Sequence, residues 1–297
     1  MSDQFVEAGK AEYINLFKTY IHREGSEELL AYIESTDFFE APASKKNHMA
    51  VAGGLCFHSI NVAKSLVQLM FAPGTYWYYY TLAKGITKEN CMVVGLLHDL
   101  CKIGFYKVGM KMLPERDPNI VAEARANRET IKHDKDGDFV WREKPYYDII
   151  DDEPMGHGEN SYIRILEHSS MKLTMDEKLA IRWHMGFTVP KETWGTLNDA
   201  MDISPFVMAA NFADITATHL LEVEENTKTI MKGRQMHLQK HANSQNHTAQ
   251  TPGNANNTSN QNKVRPTSSS AQGVNSFEQM ASQGNAFNMT EDPFKNN

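Results

Sequence analysis

Six side chains able to hold metal ions occur in one order along the chain: His58, the dipeptide His98-Asp99, His157, His184 and Asp214. The dipeptide closes the apolar run "VVGLLHDLCKIG" (93–104). An ionisable pair at the end of an apolar helix is costly unless something compensates its charge. The other four lie in segments with one apolar face: "GGLCFHSINVAKSL" around His58, "MGHGENSYIRI" around His157, "LAIRWHMG" around His184 and "FVMAANFADITATHLLE" around Asp214. Imidazole and carboxylate are the ligands divalent transition metals take where thiolates are absent. Cys56, Cys91 and Cys101 are odd in number and form no CxxC pair, which argues against a disulfide framework and against a thiolate zinc site. A second His-Asp pair, His133-Asp134, lies in the polar run "KHDKDGD" and reads as a solvated loop.

The elements that must position these groups read mostly as helices. Residues 4–20 and 24–34 carry apolar positions at helical spacing, as do residues 58–72, with Ile60, Ala63, Leu66 and Met70 on one face. Thr87 is an N-cap for a helix reaching about Cys101. Thr174 and Glu177 form a capping box before "KLAIRWHMG". Ser204-Pro205 reads as an N-cap and first-turn proline, opening a helix through Asp214. Residues 105–152 break the pattern: "GDFVWREKPYYDII" alternates and Asp136-Gly137 is a turn signal, which predicts a small β-hairpin insertion. The fold class is therefore all-α with one insertion. Residues 1–46 form an N-terminal helical segment packing on the core, and 47–233 form the functional domain. Residues 234–297, rich in Asn, Gln and Ser, are expected to be a disordered tail.

The chain has 297 residues, 41% of them apolar, enough for a packed core. It has no bilayer-length apolar run, and "MSDQFVEAGKAEY" is polar where a signal peptide would be apolar, so a cytoplasmic protein away from membranes is expected. The net charge is −7; from Arg234 onward five Lys/Arg face three Asp/Glu, which leaves −9 on residues 1–233. So acidic a body is a poor binder of duplex nucleic acid, whose affinity comes from Lys and Arg on phosphates. A small nucleotide or short oligonucleotide is the better substrate class.

The ordered His…His-Asp…His…His…Asp set resembles the HD-domain superfamily of metal-dependent phosphohydrolases. The resemblance extends from about Asn47 to Glu224 and rests on "GGLCFHS", "LLHDLCKIG", the "GH" before a helix and "ANFADITA". It implies an HD-type helical bundle and, through His157 and His184, the subset with two divalent transition-metal ions (Mn, Fe, Ni, Co or Zn). That subset includes cyclic-dinucleotide phosphodiesterases, a diadenosine tetraphosphate hydrolase and a 3′–5′ exoribonuclease. The implied scheme puts His58, His98, Asp99 and Asp214 on one ion and His157 and His184 on the other, with Asp99 bridging. Two carboxylates leave two positive charges on such a pair, matching one hydroxide nucleophile and one singly charged phosphodiester. The implied activity is hydrolysis of a phosphoester or phosphodiester of a nucleotide-type substrate by a metal-bridging hydroxide. Di-iron oxygenases of the same superfamily share the ligands, and a nucleotide-binding module without turnover is the third reading.

Lys102 follows His98 by one turn, and the family places a lysine there, so it reads as a catalytic group that neutralises a phosphate oxygen; the plain alternative is a lysine snorkelling from a helix end. Arg182 reads as solvated and Glu159 as an outer partner of His157 or a helix N-terminal charge. His168, His219, Cys56 and Cys101 read as structural. Trp141, Tyr146 and Tyr147 either pack or stack on a base. The ending "NAFNMTEDPFKNN" reads as a spacer or, less favoured, a docking peptide for a protein partner.

Overall fold

In the computed structural model, which describes residues 3–223 and 226–237, buried apolar faces gather the helices around one central segment. That segment is α5 (Lys88–Leu97), whose residues Cys91 to Leu97 are all buried. It starts where the sequence predicts: Thr87 accepts from the Asn90 amide in a capping box. Packed on it are α1 (Asp3–Tyr20), α3 (Gly54–Phe71) and α8 (Met175–Trp183). Helix α2 (Ser26–Glu34) adds Leu29, Leu30 and Ile33 to the same core, and Tyr13 of α1 donates to the Leu96 carbonyl at 2.9 Å. Helices α3 and α5 approach closely at Gly95, where a Cβ would stand 2.2 Å from the Ala63 Cα. Helix α4 (Tyr76–Lys84) follows α3 at a bend of 91°.

The insertion is richer than a hairpin. Strand β1 (Tyr106–Glu115) pairs antiparallel with β3 (Gly137–Ile149), from Tyr106 opposite Ile149 to Glu115 opposite Val140. Between them lie α6 (Pro118–Ala126), begun by Asp117 capping Asn119, and the short β2 (Lys132–Asp134). The turn at Asp136-Gly137 joins β2 to β3, so the tight hairpin is there and the sheet order is β1-β3-β2. The molecule is thus mostly helical with a small three-stranded sheet. His133-Asp134 lies on an exposed edge strand rather than a loop: His133 meets Asp138 at 2.8 Å and Asp134 pairs with Arg116.

Helices α7 (His157–Glu167), α9 (Trp194–Ile203) and α10 (Phe206–Thr216) follow the insertion, α10 running into a π-turn at Ala217–Leu221. The Thr174–Glu177 capping box is present on α8. Ser204 does not cap α10 with its side chain: its hydroxyl lies 2.5 Å from Asp176 Oδ1 and so ties α9 to α8, while Pro205 occupies the cap. Residues 226–237 are helical, four residues past the boundary expected at 233. The rest of the expected tail and its C-terminal peptide lie outside the described residues. Among the described residues no single helix is long and apolar enough to cross a membrane.

Candidate metal centre

Adjacent residues on a straight helix point about 100° apart, so His98 and Asp99 could not face one point from within α5. The helix ends at Leu97, sooner than the predicted Cys101; His98 is its C-cap, and Asp99 (φ −111°, ψ 22°) leads into a 3-10 turn over Leu100–Lys102. His184 is likewise the C-cap of α8. The last carbonyls of a helix lack intrahelical partners. Each histidine meets one of them: Nδ1 of His98 donates to Gly95 O and Nδ1 of His184 to Ile181 O, both at 2.8 Å. A carbonyl can only accept, so in the neutral rings the proton is on Nδ1 and the Nε2 lone pair faces inward. His58 reaches the same state differently. It sits in the second turn of α3, which begins at Gly54, earlier than the apolar spacing predicts, and its Nδ1 lies 3.0 and 3.2 Å from the two carboxylate oxygens of Glu222.

The Nε2 atoms converge. His58 and His98 are 3.4 Å apart at Nε2, His58 Nε2 is 3.2 Å from Asp214 Oδ1, and Asp99 Oδ2 is 3.3 Å from His98 and 3.7 Å from His58. On its other side Asp99 turns Oδ1 toward His184 Nε2 at 3.6 Å. One carboxylate therefore spans two imidazole positions. His98, His184 and Asp214 also form a ligand-spaced group. Side chains of His58, His98, Asp99 and His184 are at most 3% exposed.

Burial alone would keep His58, Asp99 and Asp214 neutral, yet the local charges overturn that. Burial disfavours the charged form of His58, but Asp214 and Glu222 outweigh it and raise its pKa to about 10. For Asp99, burial is again opposed, here by Lys102, His98 and His184, and its carboxyl titrates well below the usual range. Asp214 is lowered in the same way, chiefly by His58 against its burial. Lys102 does not snorkel: its side chain is 13% exposed, with Nζ 2.6 Å from both Asp99 Oδ2 and the Ala43 carbonyl.

His157 stands apart from this gathering. As the first residue of α7 it places Nδ1 3.3 Å from Cys101 Sγ, with the Phe105 ring edge-on at 5.6 Å, and it joins none of the ligand-spaced groups among the described residues. Close packing of α7 on α8 holds it there, because a Cβ on Gly158 would lie 2.0 Å from the Arg182 carbonyl. Cys101 is buried as expected, with its thiol pushed up to about 12 by burial and by Asp99, but it contacts His157 rather than plain core. Arg182 is only partly solvated; it pairs with Glu159, joining α8 to α7, and lies over the Trp183 ring. His168 is structural, stacked on Tyr32 at 3.7 Å. Of the insertion aromatics, Tyr147 is buried, Tyr146 lies under Lys111, and Trp141 is edge-on to Phe139.

Sequence reasoning missed Glu222 and His48. Glu222 lies eight residues after Asp214, close to two helical turns, a spacing that could have drawn attention to it. Asn61 also donates to Glu222, at 3.1 Å. His48 is on the loop whose Ala43 carbonyl holds Lys102; its ring is 4.9 Å from that of His58, and its buried Nε2 has no hydrogen-bond partner. Asn211, on α10, donates to the His184 carbonyl at 2.7 Å.

No family model, curated protein or solved structure matches the chain. The test of a metal is therefore the donor set itself. Ligands about 2.1 Å from one ion stand about 3.0–3.4 Å apart at right or tetrahedral angles. The His58–His98, His58–Asp214 and His98–Asp99 separations match that spacing. Moreover, His184 Nε2 is buried with no hydrogen-bond donor for its lone pair. A buried lone pair with no donor is unfavourable unless a cation meets it. The residues present fit a divalent metal.

Proposed function

We propose that the chain is a metal-dependent phosphohydrolase of the HD type, acting on a phosphoester or phosphodiester of a nucleotide-type substrate. The observation that carries this reading is the aim of His58, His98 and His184: each Nδ1 is spent on an acceptor, leaving Nε2 directed at Asp99 or Asp214. His58, His98, Asp99 and Asp214 would hold one ion. Asp99 and His184 would hold the second, completed by His157 if its ring turns from Cys101. Divalent ions, when bound, supply Lewis acidity and a water acidic enough to attack near neutral pH.

The protein's own groups then set direction and charge. Asp99 fixes the spacing of the two histidine sets through its two oxygens. Lys102 spends two of its three donors on Asp99 and Ala43. Its third is free to meet a phosphate oxygen, and burial between fixed acceptors removes the cost of ordering it. The α5 and α8 C-caps make these positions rigid, which suits in-line displacement.

The test is turnover. Protein loaded with manganese, iron, nickel, cobalt or zinc should hydrolyse at least one of cyclic dinucleotides, dinucleoside polyphosphates, short oligonucleotides or mononucleotides, with and without oxygen. Activity that vanishes without oxygen would point to oxygenase chemistry, and stoichiometric nucleotide binding without turnover to a binding module.

A further inference from the structure

A cavity of about 260 Å³ opens beside the metal centre, between the end of the insertion and α7. A smaller one of about 40 Å³, sharing Cys101, Phe105 and Asp151 with it, extends to His157. Both are walled by Cys101, whose Sγ lies 3.9 Å from Asp99 Oδ1 and 3.3 Å from His157 Nδ1, so they adjoin the centre on the His157 side. Its polar lining is unusual for a phosphate enzyme. The single guanidinium there, Arg164, is already spent: it pairs with Glu153 at 2.9 Å and donates to Asn160 at 3.1 Å. Asp151 and Asp152 also line the cavity and make no hydrogen bond or ion pair among the described residues. Phe105 supplies an aromatic wall.

Two free carboxylates repel phosphate and accept hydrogen bonds, so this cavity selects an uncharged group rich in O–H or N–H donors. Its volume is below the roughly 300 Å³ at which pockets for larger ligands begin, which suits one nucleoside better than a dinucleotide. We propose that it seats the nucleoside end of the substrate, ribose hydroxyls or base amine toward Asp151 and Asp152, with the phosphate directed to Asp99 and Lys102. Acidic side chains hold ribose hydroxyls in this way in dinucleotide sites. The inference rests on the nucleotide reading above and adds to it the orientation of the substrate and the donor chemistry recognised.

Adenosine carries no phosphate and calls for no metal, so it probes the cavity independently of catalysis. Saturation-transfer NMR on the full chain would compare adenosine with 2′,3′-dideoxyadenosine, which lacks the diol, and with purine riboside, which lacks the amine. Adenosine should bind at millimolar concentration. Asp151→Asn combined with Asp152→Asn should weaken it about tenfold, and so should removal of whichever donor set the carboxylates hold. Both aspartates are exposed, so circular dichroism of the double variant should match the parent, and Asp151→Asn alone serves as a milder variant. No adenosine binding, equal binding by parent and variant, or three indistinguishable ligands would overturn the proposal. Persisting nucleotide hydrolysis would then show that the failure belongs to the cavity alone. Conversely, adenosine discrimination with no nucleotide turned over would sink the catalytic reading and leave the cavity.

Discussion

Glu222 holds His58 by its outer nitrogen, 3.0 Å from Oε1 to Nδ1, across 164 positions of sequence. It lies just after the π-turn that follows α10, and its side chain is 1% exposed. The contact decides which face of His58 is offered to Asp214 and Asp99. A carboxylate behind a ligand histidine fixes the ring and raises its basicity.

Glu222→Ala should therefore weaken divalent-ion binding about 10–100-fold while leaving all the proposed ligands in place. Glu222→Gln, which can still accept from Nδ1, should lose less. Titration calorimetry with manganese or zinc on both variants checks the order; equal affinity of Glu222→Ala and parent would refute the role.

Lys102 and Asp99 form a nearly buried ion pair. Removing one partner of such a pair strands the other charge and costs about 3–5 kcal/mol. Metal-free Lys102→Met should thus unfold at lower temperature, and saturating divalent ion should recover part of the loss by compensating Asp99. Asp99→Asn should bind one or no ion and abolish turnover. Thermal melts with and without metal, beside elemental analysis, separate the two; a Lys102→Met melt unaffected by metal would contradict the arrangement.

The raised pKa of His58, about 10 against an ordinary 6.5, has a definite sign. In the metal-free chain its charged form adds stability that is complete below 6.5 and is lost as pH rises through 10. Metal must displace that proton, so ion affinity should increase with pH across the same window. Calorimetry in buffers of different ionisation enthalpy should register proton release at pH 7. Affinity that is flat from pH 6 to 9, with no proton released, would argue against His58 as a ligand.

Glu177 offers a structural control away from the chemistry. Its buried carboxylate takes hydrogen bonds from Arg23 at 2.8 Å, the Thr174 amide at 2.8 Å and Asn90 at 2.9 Å, so one side chain joins the starts of α5 and α8. Glu177→Ala should destabilise the fold by about 3 kcal/mol, because three donors lose their acceptor. Metal stoichiometry of the folded fraction should stay at the parent value. Urea denaturation measures the first and elemental analysis the second.

Much of this protein is legible locally. Both capping boxes, at Thr87 and Thr174, depend on residues three apart, and the helical apolar spacing of α3 depends on a few turns of chain. The candidate ligands His58, His98, Asp99, His184 and Asp214 were also readable, because charged groups in apolar helical segments demand compensation wherever they occur. Tertiary structure decided the remainder. Whether His98 and Asp99 share a focus depends on where α5 stops, and it stops at Leu97 ahead of a 3-10 turn that packs on α7. Ser204 reads as a cap from its neighbours, but Asp176, 28 positions away, claims its hydroxyl. Glu222 behind His58, Cys101 against His157 and Ala43 on Lys102 are likewise pairings between distant segments. Periodicity reports which face of an element is buried. It carries no information about which other element arrives there, and that choice sets the direction of every ring and carboxylate at the centre.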